Sequence, residues 1–175
     1  DLRPVRTKRL RDDSHTIGYL RITQFSESVP KKFEEALREL KEKEVEGLIL
    51  DLRNNSGGLV SSGIAVADSL LSERPIVETK NRNGIKDAII SQKNTSFDGP
   101  MVTLVNKGTA SASEILAGSL QDNERSILMG EKTYGKGLIQ SLKSLGNDSG
   151  IAITVASYIT PKGNNIQGLG MTPDK

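Results

Sequence analysis

Gly47-Leu48-Ile49-Leu50-Asp51-Leu52 is a nearly continuous apolar run, closed by Arg53-Asn54-Asn55-Ser56-Gly57-Gly58. A run this short with no polar alternation suits a strand covered on both faces, as in a parallel sheet. Upstream, residues 30–45 set Phe33, Leu37, Leu40 and Val45 at helical spacing among Lys and Glu, which predicts an amphipathic helix. Ser26 to Ser28 can cap it, with Pro30 near its start. Earlier still, residues 16–23 alternate around Ile17, Leu20 and Ile22 as a strand does. Strand, helix and strand within residues 16–52 make a crossover unit, expected to be right-handed.

Downstream, the pattern repeats with variations. A helix is expected over about 60–71, with Ile64, Ala67 and Leu71 on one side. A hairpin follows at 75–80 and 86–91, with Arg82-Asn83-Gly84 at its turn. Residues 101–106 read as another buried strand, then a helix to about Gln121, then a strand at 126–130. Further strands are expected near 138–143 and 150–159, and the Gly-, Pro- and Asn-rich tail from Pro161 reads as loop. Strands that alternate with helices predict an α/β fold with a mixed sheet, crossover helices and extra β-strands. No linker divides residues 16–175. Residues 1–15 read as an N-terminal connecting segment, with Arg3, Arg6, Lys8, Arg9 and Arg11 facing water.

Composition narrows the function classes. The chain has 175 residues, 35% hydrophobic and 26% charged, enough for one domain with a real core, and only 3% aromatic, so Leu, Ile, Val and Ala must fill it. A net charge of +2 makes no case for nucleic acid. Without cysteine there are no disulfides, thiol catalysis or thiolate metal sites. No His, Asp and Glu cluster has metal-ligand spacing, and no cofactor is implied. No run approaches the roughly 20 apolar residues of a membrane helix. The chain begins at Asp1, so it is read as processed or cropped.

One His, His15, lies among polar residues before the first strand and reads as exposed. A serine nucleophile therefore needs another base, and lysine is the obvious substitute. Thr109-Ala110-Ser111-Ala112-Ser113-Glu114 is a small-residue turn opening an apolar helix. There the hydroxyl of Ser111 would be exposed, and the Ala112 N–H, unpaired in the helix's first turn, would face an oxyanion. The same residues also read as a plain helix cap, with Glu114 completing a capping box to Ser111. Lys136 sits between glycines in Gly135-Lys136-Gly137. Lysine ordinarily keeps its proton to about pH 10.4, so service as a base near neutrality calls for a depression of about 3 units by burial. Equally, it reads as a solvated turn lysine. Residues 130–137 nearly match a phosphate-binding loop, but Gly137 stands where the magnesium-binding hydroxyl belongs and a strand follows instead of a helix. Gly57 or Gly58 could give a second oxyanion N–H, or simply form a turn with an Asn cap. Gln140, four residues past Lys136, would face the same side of a strand. Asp122 closes the helix that Ser111 opens.

Together, residues 50–58, 108–115 and 130–137 resemble the carboxyl-terminal processing (tail-specific) peptidases, and the resemblance runs from about Ile17 to the closing Gly170-Met171-Thr172-Pro173-Asp174. It implies a ClpP/crotonase-like α/β core and a serine endopeptidase that cuts near protein C termini without metal or cofactor. It places the nucleophile at Ser111, the base at Lys136 and a supporting residue at Gln140. The oxyanion donors fall at Gly57 and Ala112, and Asp122 matters in some members. The branch it most resembles trims the photosystem II D1 precursor, which implies an exported location, periplasm or thylakoid lumen. Its partners would be protein or peptide C termini. Members also carry a PDZ domain, which residues 1–15 cannot hold. Two rival readings follow: a peptide-binding core fragment that keeps the fold without activity, and a crotonase-type acyl-CoA enzyme on the same core.

Overall fold

The structure, a computed structural model, describes residues 3–84, 86–146 and 149–175. The run at 47–52 is the strand β3 (Gly47–Asp51), the middle of a five-stranded sheet. Its parallel neighbours are β2 (Thr16–Ile22) and β6 (Met101–Val105), and β7 (Ile127–Gly130) continues the parallel set beyond β6. The helix α1 (Val29–Glu42) is the crossover from β2 to β3. The helix α2 (Val60–Leu70) follows β3, and α3 (Ala112–Asp122) joins β6 to β7. Leu20, Ile22, Leu48 and Leu50 meet Phe33, Leu37 and Leu40 of α1 and Val66, Ala67 and Leu70 of α2 in one core. Burial of such aliphatic side chains is the main stabilising term.

A second, four-stranded antiparallel sheet has the order β5 (Lys86–Ile90), β4 (Pro75–Asn81), β9 (Ser149–Ile159), β8 (Leu138–Gly146). The hairpin expected at 75–91 is β4–β5, and Gly84 takes φ +75° in its turn. The fold class is the one expected: α/β, a mixed sheet with crossover helices and added strands.

Several local expectations change. Residues Val5–Arg11, read as part of a connecting segment, form β1, which pairs antiparallel with β2 at the sheet's edge. Its basic side chains do stay exposed. At α1, Ser28 holds the N-cap position without a side-chain cap bond; instead Ser26 lends its carbonyl to Val29 N–H (3.1 Å) and to the Ser62 hydroxyl (2.9 Å). The N-cap of α2 is Leu59, not an asparagine. The tail is irregular but docked: Met171 is 4% exposed, and Asp174 accepts a bond from Leu128 N–H at 2.8 Å.

The end of β3 is fastened by Asp51, which has no exposed surface. It accepts bonds from Tyr19 Oη (2.6 Å), Arg53 Nη2 (2.8 Å), Arg53 Nε (3.0 Å) and Arg53 N–H (2.9 Å). Burial alone would raise its pKa, but the bonds from Arg53 and Tyr19 outweigh burial and hold the carboxyl below its ordinary range. A depressed folded-state pKa adds stability that is complete above about pH 4 and is lost as pH falls through the folded value. Asp51→Asn is expected to lower unfolding free energy by about 1–2 kcal/mol at pH 7, part of the interaction being screened at half-exposed Arg53. In urea unfolding at stepped pH, the gap between the two proteins should shrink below pH 4; a constant gap would show that the charge contributes nothing.

Candidate active site

Three loops leave the C-terminal ends of the adjacent parallel strands β3, β6 and β7, so they meet along one rim of the sheet, where open α/β sheets bind ligands. Residues 52–59 bring Gly57 and Gly58, residues 106–111 bring Ser111, and residues 131–137 bring Lys136.

Ser111 is held at φ 58°, ψ −119°, a conformation that costs an L-residue about 1–3 kcal/mol and persists only where its surroundings over-determine it. The surroundings are specific. Ala110 N–H and the Ser113 hydroxyl both donate to the Asn55 carbonyl, each at 3.0 Å. The Thr109 hydroxyl donates to the Leu52 carbonyl at 2.9 Å. These bonds tie the turn to the loop after β3. Gly57, at φ +105°, closes against it: a Cβ there would lie 2.8 Å from Ser111 Cβ and 3.2 Å from Ala112 N. Any other residue at 57 would push the serine out of place. Ala112 N–H, in the first turn of α3, has no partner among the described residues and sits at the positive end of the helix dipole.

Glu114 is the residue whose reach the sequence reading missed. The Ser-x-x-Glu spacing marks it as a cap, and the capping box does form: its Oε2 accepts Ser111 N–H at 2.9 Å. The same oxygen also accepts the backbone N–H of Lys136 at 2.8 Å. Its Oε1 accepts the Thr133 hydroxyl and Gly135 N–H, both at 2.6 Å. The side chain has no exposed surface. One buried carboxylate therefore joins the serine turn to the lysine loop, a tertiary role that no local spacing reveals. Thr133 extends the chain of contacts, accepting Met171 N–H from the tail at 2.7 Å.

The other expected site residues divide. Lys136 and Gln140 line one open cavity of about 510 Å³ with Ser56, Gly108, Tyr134 and Leu138. Both side chains are exposed, and no hydrogen bond joins Lys136 to Ser111 or to Gln140. The dry lysine expected from the sequence is thus not the resting arrangement; only its backbone is fixed. Gly57 N–H, expected to face an oxyanion, donates to Asn55 Oδ1 at 2.9 Å. Asp122 lies at the far end of α3, eleven residues and about 16 Å along the axis from Ser111, where it accepts Lys162 N–H at 2.9 Å. It fastens the tail and does not enter this cavity. No group of three His, Asp or Glu side chains suited to a metal ion occurs among the described residues. None of their helices is long and apolar enough to cross a membrane.

Residues 16–175 match peptidase family S41. The chain belongs to that family. Among its S41 relatives is a carboxyl-terminal-processing protease of Synechocystis sp., 52% identical over 167 residues, which cover 94% of this chain and 39% of that protein. The chloroplastic C-terminal processing peptidase of Tetradesmus obliquus is 45% identical, over 90% of this chain and 34% of its own length. A solved photosystem II D1 C-terminal processing protease superposes with a TM-score of 0.93 at 38% identity, over 99% of this chain and 48% of that one. This S41 chain thus spans less than half the length of these relatives.

The carboxylate predicts its own test. Glu114→Gln puts an amide NH₂ against donors that need an acceptor, and should lower kcat for peptide cleavage at least about tenfold with little change in KM. Glu114→Ala leaves buried donors unpaired and should cost about 3 kcal/mol or more in urea unfolding. Wild-type kcat in the Gln variant would remove Glu114 from the site.

Proposed function

We propose that this chain is the core of a serine endopeptidase that hydrolyses peptide bonds near protein C termini, with Ser111 as nucleophile and Lys136 as base. The observation that carries it is the strained Ser111 at the head of α3, held by the same carboxylate that holds the Lys136 backbone.

The chemistry follows from that arrangement. A peptide lying in the cavity strips water from Lys136, the condition under which an amine is most readily neutral. Its side chain, free to swing on a fixed backbone, takes the proton from Ser111 Oγ as that oxygen attacks the scissile carbonyl. Ala112 N–H and a glycine N–H of the 57–58 turn receive the oxyanion. The tetrahedral adduct collapses, Lys136 returns the proton to the leaving amine, and an acyl-serine remains. Water, deprotonated by Lys136, then releases the acid. Gln140, on the same cavity wall, orients the amine. Residues 16–175 form the peptidase core, and β1 adds an edge strand to its sheet. The partners are polypeptide C termini, nucleic acid has no part, and the setting is the periplasm or thylakoid lumen. The family and relatives named as carboxyl-terminal-processing enzymes support the polypeptide substrate, and a relative named as chloroplastic supports an organellar setting.

The second reading, a peptide-binding core without activity, is favoured by the lack of a direct bond between Lys136 and Ser111. Labelling with a fluorophosphonate separates the two. Ser111 should be labelled, Ser111→Ala should not, and Lys136→Ala should lose about 10³-fold or more in peptide cleavage while keeping its fold by circular dichroism. Cleavage retained in either variant would end the dyad.

A further inference from the structure

A cleft of about 700 Å³, larger than the cavity at Lys136, opens between the C-terminal end of α3 and the tail. The wall between the two is thin. Residues 133–135 of the lysine loop and 168–171 of the tail lie side by side there. Thr133 N–H donates to the Met171 carbonyl at 3.1 Å, Met171 N–H to the Thr133 hydroxyl at 2.7 Å, and Gly168 N–H to the Gly135 carbonyl at 3.0 Å. Chains paired in this way lie roughly 5 Å apart, so an extended polypeptide at about 3.3 Å per residue crosses the ridge with a few residues.

The ridge is apolar on both flanks. Tyr134, which lines the Lys136 cavity, is 69% exposed, and Leu169, which lines the cleft, is 57% exposed. Ile127, 46% exposed, is a second apolar group in the cleft. Leu169 is held outward by a fixed turn. Its N–H and that of Gly170 both donate to the carbonyl of buried Ile166, at 3.2 and 2.9 Å. Gly170, at φ +63°, lies so close to the lysine loop that a Cβ there would be 2.6 Å from the Thr133 carbonyl. A leucine fixed in water adds nothing to the core, and apolar groups clustered beside a site mark a binding surface. The charges around the cleft have both signs, Lys132 and Lys162 against Asp122, Glu124 and Asp174. Such a lining selects no one charge, and it suits the neutral amides of an extended chain.

We propose that this cleft is an exosite for the polypeptide substrate. The chain held at Ser111 crosses the ridge between Tyr134 and Leu169 and lays an apolar side chain against Leu169 and Ile127. This rests on the peptidase reading and deepens it, because continuity of the ridge with the Lys136 cavity is what identifies the occupant. Affinity then depends on substrate length, since a peptide too short to cross the ridge gains nothing from the cleft.

The test places Leu169→Ser and Ile127→Ser together in the full-length protein and uses two substrates with the same cleaved sequence. One, of about six residues, fills only the cavity, and the other, of about twenty, extends well beyond it on both sides. The double variant should raise KM for the long substrate about tenfold, while its KM for the short one and kcat for both stay within about twofold. An equal rise in KM on both substrates would show damage to the lysine loop and overturn the exosite. An unchanged KM on the long substrate would show that something else covers the cleft and would overturn it too. Binding of the fluorescent long peptide to Ser111→Ala, read by anisotropy, should weaken by the same factor when the two serines are added; unchanged binding would again overturn the proposal. That measurement needs no cleavage, so it judges the exosite separately from the peptidase reading, which fails only if Ser111→Ala still cleaves.

Discussion

Four donors converge on the Glu114 carboxylate: Ser111 N–H, Lys136 N–H, Gly135 N–H and the Thr133 hydroxyl. A carboxylate without exposed surface is tolerable only when hydrogen-bonded in this way, and bonds to a charged acceptor are stronger than neutral ones. The consequence is geometric. The turn that presents the serine and the loop that presents the lysine are separate in sequence, yet each is measured from the same two oxygen atoms. Movement of either loop would leave a buried charge short of donors, so the spacing of the two backbones is defended by the cost of desolvation.

The sheet makes that convergence possible. Because β3, β6 and β7 run parallel, their following loops emerge on one rim, and only local bonds are needed to complete the site. Asn55 does this between the first two loops, through a carbonyl that takes Ala110 N–H and the Ser113 hydroxyl. Glu114 does it between the second and third. The tail adds a brace from behind, with Met171 against Gly118 of α3 and its N–H on Thr133. The strain at Ser111 is thus balanced by contacts from four segments, which explains how φ 58° survives at a serine.

Most elements were legible because hydrophobic period and turn chemistry agree over 16–130. The run at 47–52, the α1 stripe and the Asn83-Gly84 turn each carry a local signal strong enough to stand without tertiary help. The site residues were legible as types and spacings: a small-residue turn before an apolar helix, and a lysine between glycines. What sequence could not give is partnership. Glu114 looked like a helix cap because capping is local, and its contacts 19–22 residues downstream depend on where β7 ends. Asp122 reads from the sequence only as the close of the helix that Ser111 opens, and its bond to Lys162 N–H at that far end is again a matter of tertiary partnership. The charges at 5–11 hid a strand, since a solvent-facing edge strand needs little apolar content to pair with β2.

Rigidity is distributed unevenly across the site, and the distribution has a chemical sense. Backbone atoms are fixed: the serine turn, the Lys136 N–H and the glycine turn all bond to buried partners. The two side chains that face the cavity from the third loop and β8, Lys136 and Gln140, are exposed and unbonded to the serine. Fixed dipoles are what an oxyanion requires, because reorienting them during reaction would consume the stabilisation they provide. In the proposed dyad the lysine has the opposite requirement, since a base there must carry a proton from the hydroxyl to a leaving amine and later act on water. A four-carbon side chain on an anchored backbone meets that requirement. In the proposed mechanism a peptide settling into the cavity displaces water from the lysine side chain and brings its carbonyl to the serine in the same event.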